Sequence, residues 1–383
     1  MARALYIHWP FCAKKCPYCD FNSHVRAQVD MDAWKRALLS DMRAEAQAAS
    51  GETLTSIFFG GGTPSLMPPT LVEALLREAE KLWGFERDIE ITLEANPSSV
   101  EAQNFAGLSQ AGVNRVSLGV QSLDNATLVW LGRLHGADEA LAALETAQTH
   151  FSRVNFDMIY ALPGQTEEQW QVQLARALSL STSHLSLYQL TIEPGTRFHT
   201  DVRRGVFEPL DNDRAACLYE LTQEMTLAHG LPAYEISNHA RSSEESRHNL
   251  TYWRYEDYAG IGPGAHGRRG GFAITRHRKP ENFLKAVQER SHGIAEQRHL
   301  TVPEQASEAL LMGLRLVEGV DLAALGTRLG LPTNTLINPD KRDHLQSIGI
   351  LWSKKDRIGV TPAGLPVLDA VLGEVVPDEL VIA

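Results

Sequence analysis

The first half of the chain alternates short apolar runs with longer segments whose apolar residues recur at helical spacing. The apolar runs, each predicting a β-strand, cover residues 5–8, 56–59, 89–93, 115–119, 154–159 and 185–190. The helical spacing predicts α-helices at residues 32–48, 71–83, 138–149 and 167–180. This alternation is typical of βα units around a parallel sheet, whose ligands bind at the carboxyl ends of the strands. Periodicity leaves two arrangements open, an open doubly wound sheet and a curved partial barrel.

The regular alternation of predicted strands and helices ends after about residue 200. A helix is predicted at 211–228, and residues 234–279 are rich in His, Asn, Tyr, Gly and Arg, which indicates functional loops. Helical spacing returns at 304–316 and 322–329, and residues 350–361 resemble a strand, a turn and a strand. We therefore predict three parts. They are a barrel at 1–235, a connecting segment at 236–300, and a small helical domain with a β-wing at 301–383.

Composition and charge narrow the class of protein. The net charge is −11, which argues against a general affinity for nucleic acid, and no nucleic-acid partner is expected. No apolar stretch approaches the roughly 20 residues that a membrane-spanning helix needs. Four cysteines are too few for a disulfide framework, and three of them fall within eight positions. We expect a metal site in a soluble protein of the cytoplasm.

The three clustered thiols follow the first predicted strand: Cys12, Cys16 and Cys19. Pro10 and Pro17 disfavour a helix here, so the segment is predicted to be a loop at the top of the sheet. Thiolates bind zinc, copper(I) and iron–sulfur clusters. Structural zinc would need a fourth ligand, such as His8 or His24. A cluster would keep one iron open for a small ligand, and the spacing of the thiols leaves both possibilities open.

Residues suited to hold an amino acid or a nucleoside occur at the ends of the later predicted strands. They are Gly61, Gly62, Thr63, Glu94, Gln121, Arg133 and Asp157. The glycines allow the backbone to approach a ligand closely, and the carboxylate of Glu94 can receive an ammonium group. Each residue alone is more often a turn, a cap or a surface ion pair. Together they predict a binding site that faces the cysteines.

Three segments of the sequence resemble a known family. They are YxHxPFCxxxCxxC at residues 6–19, FFGGGTPS at 58–65 and DMIYALPGQT at 157–166. They are similar to the radical S-adenosylmethionine proteins related to oxygen-independent coproporphyrinogen oxidase. This resemblance implies an α/β fold with a partial (β/α)6 barrel.

The resemblance also implies a set of ligands. A 4Fe-4S cluster would be held by Cys12, Cys16 and Cys19, and the amine and carboxylate of S-adenosylmethionine would chelate the fourth iron. The residues implied near the methionine part are Tyr6, Gly61, Gly62, Thr63 and Glu94. Those implied nearer the ribose and carboxylate are Gln121, Arg133 and Asp157.

Two features separate the branches of this family. The oxidases have a fourth cysteine two positions after the third, where this chain has Phe21. Residues 248–253, HNLTYW, are similar to the haem-chaperone branch, and the first predicted strand begins too early for the N-terminal extension of the oxidases. The resemblance thus implies a carrier that binds haem and delivers it to haem proteins, including respiratory enzymes at the membrane, and that can form a homodimer. The alternatives are a radical enzyme that decarboxylates coproporphyrinogen III and a zinc-stabilised module.

Several residues are candidates for contact with haem. His248 can ligate haem iron, with Tyr252 and Trp253 packing on the macrocycle, and His266 is a second candidate. A cationic set can pair with haem propionates, a partner or a membrane surface, or can be a solvated face: Arg268, Arg269, Arg276, Arg278 and Lys279. Cys217, at an apolar position of a predicted helix, is expected to be a buried structural thiol.

Overall fold

The computed structural model describes residues 3–48, 53–377 and 380. In chain order the strands are β1 (Ala4–Trp9), β2 (Phe11–Cys12), β3 (His24–Val25), β4 (Leu54–Gly61), β5 (Phe85–Ala95), β6 (Arg115–Gln121), β7 (Arg153–Tyr160), β8 (His184–Gln189), β9 (Asn238–Ala240), β10 (Tyr258–Ile261), β11 (His266–Arg269), β12 (Phe272–Arg276), β13 (Ile294–His299), β14 (Val320–Asp321), β15 (Leu351–Lys354) and β16 (Arg357–Val360).

The α-helices, in the same order, are α1 (Met31–Ala48), α2 (Pro69–Trp83), α3 (Ser99–Ala102), α4 (Phe105–Gln110), α5 (Asn125–Trp130), α6 (Ala137–His150), α7 (Glu167–Ser179), α8 (Arg197–Arg203), α9 (Asn212–Ala228), α10 (Arg247–Trp253), α11 (Pro280–Arg290), α12 (Val302–Gly313), α13 (Leu322–Leu329), α14 (Pro339–Ser347) and α15 (Leu368–Val375). None of these helices is both long and apolar enough to cross a membrane.

Six neighbouring parallel strands form the centre of the main sheet, in the order β1-β4-β5-β6-β7-β8. They coincide with the six strands predicted from the sequence, within a few residues at each end. The sheet continues through β10 beside β1 and through β9 beside β8, and within the described residues its outermost strands, β13 and β9, do not pair with each other. The sheet is therefore open, and the predicted partial (β/α)6 barrel is confirmed.

The face of β1 and β4 that packs against helices is apolar. Leu5 and Ile7 of β1 pair in register with Ile57 and Phe59 of β4, and all four side chains are fully buried. They belong to one core with residues of α1 and α2, such as Leu38. The core fixes the strand ends at which the candidate site lies.

Residues 234–279 are not a set of loops, as their composition indicated, but contain β9, α10 and β10–β12. Strand β10 pairs in parallel with β1, and β11–β13 continue as an antiparallel meander. These strands have only three to six residues, so their apolar pattern is too short to detect. Gly260 shows why a glycine is needed, because a Cβ there would lie 1.8 Å from the carbonyl oxygen of His266.

The C-terminal part has a core of its own, formed mainly by α12–α15 and a three-stranded sheet in the order β14-β16-β15. The predicted strand, turn and strand at 350–361 is confirmed as β15 and β16, joined at Lys355 with a φ of 54°. The helix predicted at 322–329 is α13, and the one predicted at 304–316 is α12. Contacts to the barrel include the hydroxyl of Tyr255, which donates to Glu308 at 2.6 Å.

Candidate functional site

The three predicted cluster ligands lie in a loop that leaves the carboxyl end of β1. Cys12 ends the short strand β2, and the amide of Cys19 donates to the carbonyl of Cys16 at 3.2 Å, which folds the segment into a turn. All three thiols are free and partly buried. We call residues 12–22 the cysteine loop.

The glycine-rich turn after β4 packs directly on the cysteine loop. The amide of Gly62 donates to Trp9 at 2.7 Å, and that of Thr63 donates to Phe11 at 2.8 Å. A Cβ on Gly62 would lie 2.6 Å from the carbonyl oxygen of Phe11, so a larger residue cannot come this close. The hydroxyl of Thr63 donates to the thiol sulfur of Cys12 at 3.4 Å. The structure thus brings Gly62 and Thr63, two of the three predicted residues of this turn, to the segment that carries the cysteines.

Two predicted carboxyl groups lie inside the barrel. Glu94 accepts a hydrogen bond from the amide of Gly61 at 3.2 Å, and burial together with the nearby charge of Asp157 raises the pKa of Glu94 to about 8. Asp157 accepts hydrogen bonds from Ser117 and Asn155, both at 3.1 Å, while its burial raises its pKa. A cation beside Glu94 would favour its ionised form, which suits an ammonium group.

Arg133 connects the cysteine loop to the ends of three strands. One of its terminal nitrogens donates to the side-chain oxygen of Asn96 at 2.6 Å and to the carbonyl of Gly119 at 2.7 Å. The other lies 3.5 Å from the sulfur of Cys16. Asn96 in turn donates to the hydroxyl of Thr63 at 3.1 Å. This series of hydrogen bonds holds the positive charge of Arg133 next to the sulfur of Cys16.

Gln121 ends β6 in the left-handed region, with a φ of 68°. A Cβ on Gly119 would lie 2.9 Å from the side-chain nitrogen of Gln121 and 3.3 Å from that of Arg133, so both side chains cover this glycine. The predicted residues therefore form two connected groups. Thr63, Gln121 and Arg133 lie on the side of the cysteines, and the two carboxyl groups lie further inside.

A cavity of about 360 Å³ opens between β1, β10 and the cysteine loop. Three of the residues predicted for S-adenosylmethionine line it, namely Tyr6, Gly61 and Glu94. Its other lining residues are His8, Phe21, Asn22, Tyr252, Tyr258, Gly264, His266 and Arg278. The lining therefore combines one carboxyl group, three phenols, two imidazoles and one guanidinium.

His8, Asn22 and Asn96 are site residues whose contacts the sequence did not predict. The Nε2 of His8 lies 2.9 Å from the carbonyl oxygen of Asn22, and its Nδ1 lies 3.0 Å from the hydroxyl of Tyr6. Because a carbonyl only accepts, Nε2 carries the proton and the hydroxyl of Tyr6 donates to Nδ1. Burial lowers the pKa of His8 to about 4, so the ring is neutral. His8 belongs to the segment at 6–19 that resembles the family, whereas Asn22 is marked only by its proximity to the cysteine motif.

The described ranges do not show the arrangement of side chains that a single metal ion would need. No group of three or more His, Cys, Asp or Glu side chains in them is arranged to hold one ion. The ring nitrogens of His8, one of the two histidines considered for zinc, both have hydrogen-bond partners. Thiolates that bind separate irons of a cluster need not converge on one point, so this spacing suits a cluster.

His248 does not face the cavity but is buried beside the start of β4. Its Nδ1 lies 3.0 Å from the hydroxyl of Ser56, and its Nε2 lies 2.7 Å from that of Tyr252. Burial lowers the pKa of His248 to about 3. Both ring nitrogens are occupied, so iron could bind only after a hydrogen bond breaks. Tyr252, by contrast, lines the cavity.

The predicted cationic set is not one surface patch. Arg276 is fully buried in ion pairs with Asp41 and Glu45, and Arg269 also pairs with Glu45 at 2.7 Å. Arg268 stacks 3.5 Å above the ring of Tyr255. Of the set, Arg278 lines the cavity.

The expectation that Cys217 is a buried structural thiol was wrong, because Cys217 is exposed.

Comparison with known proteins decides the family. Residues 6–174 match the model of the radical SAM superfamily, and residues 300–367 match that of the HemN C-terminal domain. The heme chaperone HemW of Escherichia coli is 36% identical over 378 residues, which cover 96% of this chain and 97% of that protein. The chain belongs to the HemW family.

Other members and neighbours of the HemW family agree with this assignment. The heme chaperone HemW of Haemophilus influenzae is 37% identical over 88% of each chain. A mitochondrial radical S-adenosyl methionine domain-containing protein 1 from Mus musculus is 41% identical over 83% of this chain and 74% of its own length. A solved structure of coproporphyrinogen III oxidase (HemN) from Escherichia coli superposes with a TM-score of 0.82 over 97% of this chain and 89% of its own. At 21% identity this last likeness shows the fold alone.

Membership of the HemW family, within the radical SAM superfamily, implies a 4Fe-4S cluster and S-adenosylmethionine. The residues present fit these groups. Three free thiols share one loop, and Arg133 places a positive charge beside one of them. The uncharged Glu94, whose pKa is about 8, borders a cavity next to that loop.

Proposed function

We propose that this protein is a haem chaperone, which binds haem, a 4Fe-4S cluster and S-adenosylmethionine and passes the haem to haem-dependent proteins. The observation that carries the proposal is the similarity, over nearly the full length, to proteins named heme chaperone HemW. Phe21 supports the same choice, because it stands where the related oxidases have a fourth cysteine.

In this proposal Cys12, Cys16 and Cys19 ligate the cluster. The methionine part of S-adenosylmethionine lies against Tyr6, Gly61, Gly62, Thr63 and Glu94, and its ribose and carboxylate lie toward Gln121, Arg133 and Asp157. A reduced cluster supplies, when present, an electron that can cleave a carbon–sulfur bond of S-adenosylmethionine. The protein itself contributes the thiolates, a carboxyl group for the ammonium and the positive charge of Arg133 beside the thiol of Cys16.

The cavity supports the haem part of the proposal. Tyr252 and Tyr258 pack edge to face with ring centroids 4.5 Å apart and offer aromatic surface to a macrocycle. His266 can offer an imidazole to iron, and Arg278 can offer a guanidinium to a propionate. Delivery to respiratory enzymes at the membrane, a homodimer and a cytoplasmic location remain predictions.

Haem titration of the anaerobically reconstituted protein tests the proposal. We expect a Soret band that saturates at one haem per chain, with both propionates intact by mass spectrometry. A Cys12→Ser, Cys16→Ser, Cys19→Ser variant should fold but lose the iron and the brown colour of the cluster. Decarboxylation of coproporphyrinogen III by the wild-type protein would contradict the proposal and support the oxidase alternative instead.

A further inference from the structure

The cysteine loop touches a second structural unit, the edge of the cavity formed by the antiparallel meander. Gly264, His266 and Arg278 of this edge line the cavity. We call residues 262–266 and 276–279 the lip. The lip follows β10, the neighbour of β1 in the main sheet, and lies more than 230 residues after the cysteine loop in the sequence, so their contact is a tertiary one.

Asn22 makes this contact with its side-chain amide nitrogen. Its nitrogen donates to the carbonyl of Pro263 at 2.8 Å and to the carbonyl of Arg278 at 2.9 Å. An amide nitrogen has two hydrogens, so its donor capacity is fully used by the two segments of the lip. The backbone oxygen of Asn22 accepts from His8, which ties the same residue to β1.

Two glycines of the lip are needed for this approach. A Cβ on Gly264 would lie 2.3 Å from the side-chain nitrogen of Asn22, and a Cβ on Gly262 would lie 2.4 Å from the carbonyl oxygen of His8. The far side of the lip is held by Asp41 of α1, which accepts from the amide of Gly262 at 3.1 Å. The lip is thus fastened to α1 at its back and to the cysteine loop at its front.

We propose that Asn22 is a positioning residue that couples the cysteine loop to the lip, so that ordering the loop by its cluster also closes the lip over the cavity. Ligation by three thiolates fixes the loop that carries Asn22, three residues after Cys19. A fixed amide then holds both lip carbonyls, whereas a loop without cluster holds them less well. Cluster loading and opening of the cavity become linked equilibria.

Hydrogen exchange measured with and without the cluster tests the coupling. The amides of Gly262, Ala265, Arg276 and His277 are hydrogen-bonded to Asp41 or to backbone carbonyls, so their exchange reports opening of the lip. In wild-type protein we expect cluster loading to slow lip exchange on the order of tenfold, the effect of one or two hydrogen bonds. Unchanged lip exchange in wild-type protein with a full complement of iron would overturn the proposal.

Substitutions separate coupling from stability. Asn22→Asp keeps the shape but removes both donors, and we expect the cluster to slow exchange in the cysteine loop and no longer in the lip. Asp20→Ala changes an exposed side chain of the same loop and should leave the response as in wild type. A lip response in Asn22→Asp equal to that of wild type would overturn the proposal.

A glycine pair provides a second test, which holds even if Asn22→Asp fails to take up a cluster. Gly264→Ala and Gly270→Ala both place alanine at a positive φ, 83° and 56°, but the Cβ at 264 meets Asn22, whereas no atom of the described residues lies within 4 Å of the one at 270. Only Gly264→Ala should lose the cluster-dependent protection of the lip, and equal effects of the two would overturn the proposal. Haem is not used in these experiments, so failure of the haem proposal would not affect their outcome.

Discussion

Glu94 remains uncharged at neutral pH until a cation reaches it. Its pKa in the folded, ligand-free protein is about 8, against 4.5 for an ordinary glutamate, because burial removes water from the carboxylate. Because the pKa of Glu94 is raised in the folded state, its contribution to the free energy of unfolding is fully present below about pH 4.5. This contribution is lost as the pH rises to about 8. A bound ammonium group ionises Glu94 and releases a proton, so the affinity for such a ligand should rise with pH across the same window.

Substitution of Glu94 by glutamine tests this at the residue scale. Glu94→Gln should bind S-adenosylmethionine roughly 10- to 100-fold more weakly at pH 8, the cost of a lost charge-assisted hydrogen bond. Without the ligand, the variant should gain thermal stability relative to wild type at pH 8 but not at pH 5. Calorimetry at the two pH values measures both effects, with the exposed Glu296→Gln as control. A wild-type affinity that does not depend on pH would contradict the assignment.

His248 can be tested for two roles at once. Removal of its ring leaves the hydroxyls of Ser56 and Tyr252 without their buried partner, so His248→Ala should lose about 2–4 kcal/mol of unfolding free energy. Because both ring nitrogens are occupied, we expect the haem spectrum of the variant to stay like that of wild type. Urea unfolding and a haem titration provide the two readings, with His229→Ala on the exposed end of α9 as control. A shifted Soret band in His248→Ala alone would assign the iron to His248.

The sequence predicted those site residues whose role follows from their type and their place at a strand end. Glu94 and Thr63 are examples, because a polar residue after an apolar run must lie at the top of a parallel sheet. Asn22 and Asn96 could not be predicted, because their partners are contributed by chain segments far away in the sequence. His248 could not be placed either, since only the fold shows that its ring faces β4.

At the scale of elements, the meander β11–β13 is fastened to α1 by buried charges. Arg276 of β12 donates to Asp41 at 2.7 Å and to Glu45 at 2.8 Å, and all three side chains are fully buried. Asp41 also accepts from the amides of Gly262 and Gly293, so it joins three segments of the meander to one helix. Removal of the arginine would leave buried carboxylates without their counter-ion.

Arg276→Met should therefore destabilise the protein strongly, by about 3–5 kcal/mol. The matched control is Arg298→Met, which removes an exposed arginine of the neighbouring strand β13 from its pair with Glu304 and should change stability little. Urea unfolding of the two variants measures the difference. Equal losses would show that the buried pairs do not hold the meander.

Prediction from sequence succeeded for elements whose pattern is long and repeated. The six central strands and the helices between them alternate regularly, and each helix must cover an apolar strand. It failed for residues 234–279, where strands of three to five residues depend on neighbours for their hydrogen bonds. Strand β10 is stable because it completes the free edge of β1, which no local pattern reveals.

At the scale of the whole molecule, the site lies where the segment after β1 meets the segment after β10. The cysteine loop follows the first strand, and β10, which pairs with the other edge of that strand, leads into the lip. The C-terminal core packs behind this region, with Arg328 donating to the backbone oxygen of Tyr255 at 3.1 Å. The cavity lies between segments that are distant in the sequence, and its proposed opening by the lip suits a carrier that must both hold and release a large ligand.

Transfer of haem to an acceptor tests the proposed function most directly. Reconstituted protein is loaded with one haem per chain and is offered an apo haem protein as acceptor. The two proteins are either mixed in one solution or separated by a dialysis membrane that the acceptor cannot cross. Transfer is followed by the Soret band of the acceptor. We predict transfer that is faster in contact than across the membrane, because a chaperone hands over its ligand within a complex. Equal rates in the two arrangements, the rate of free haem, would contradict a role as a haem chaperone.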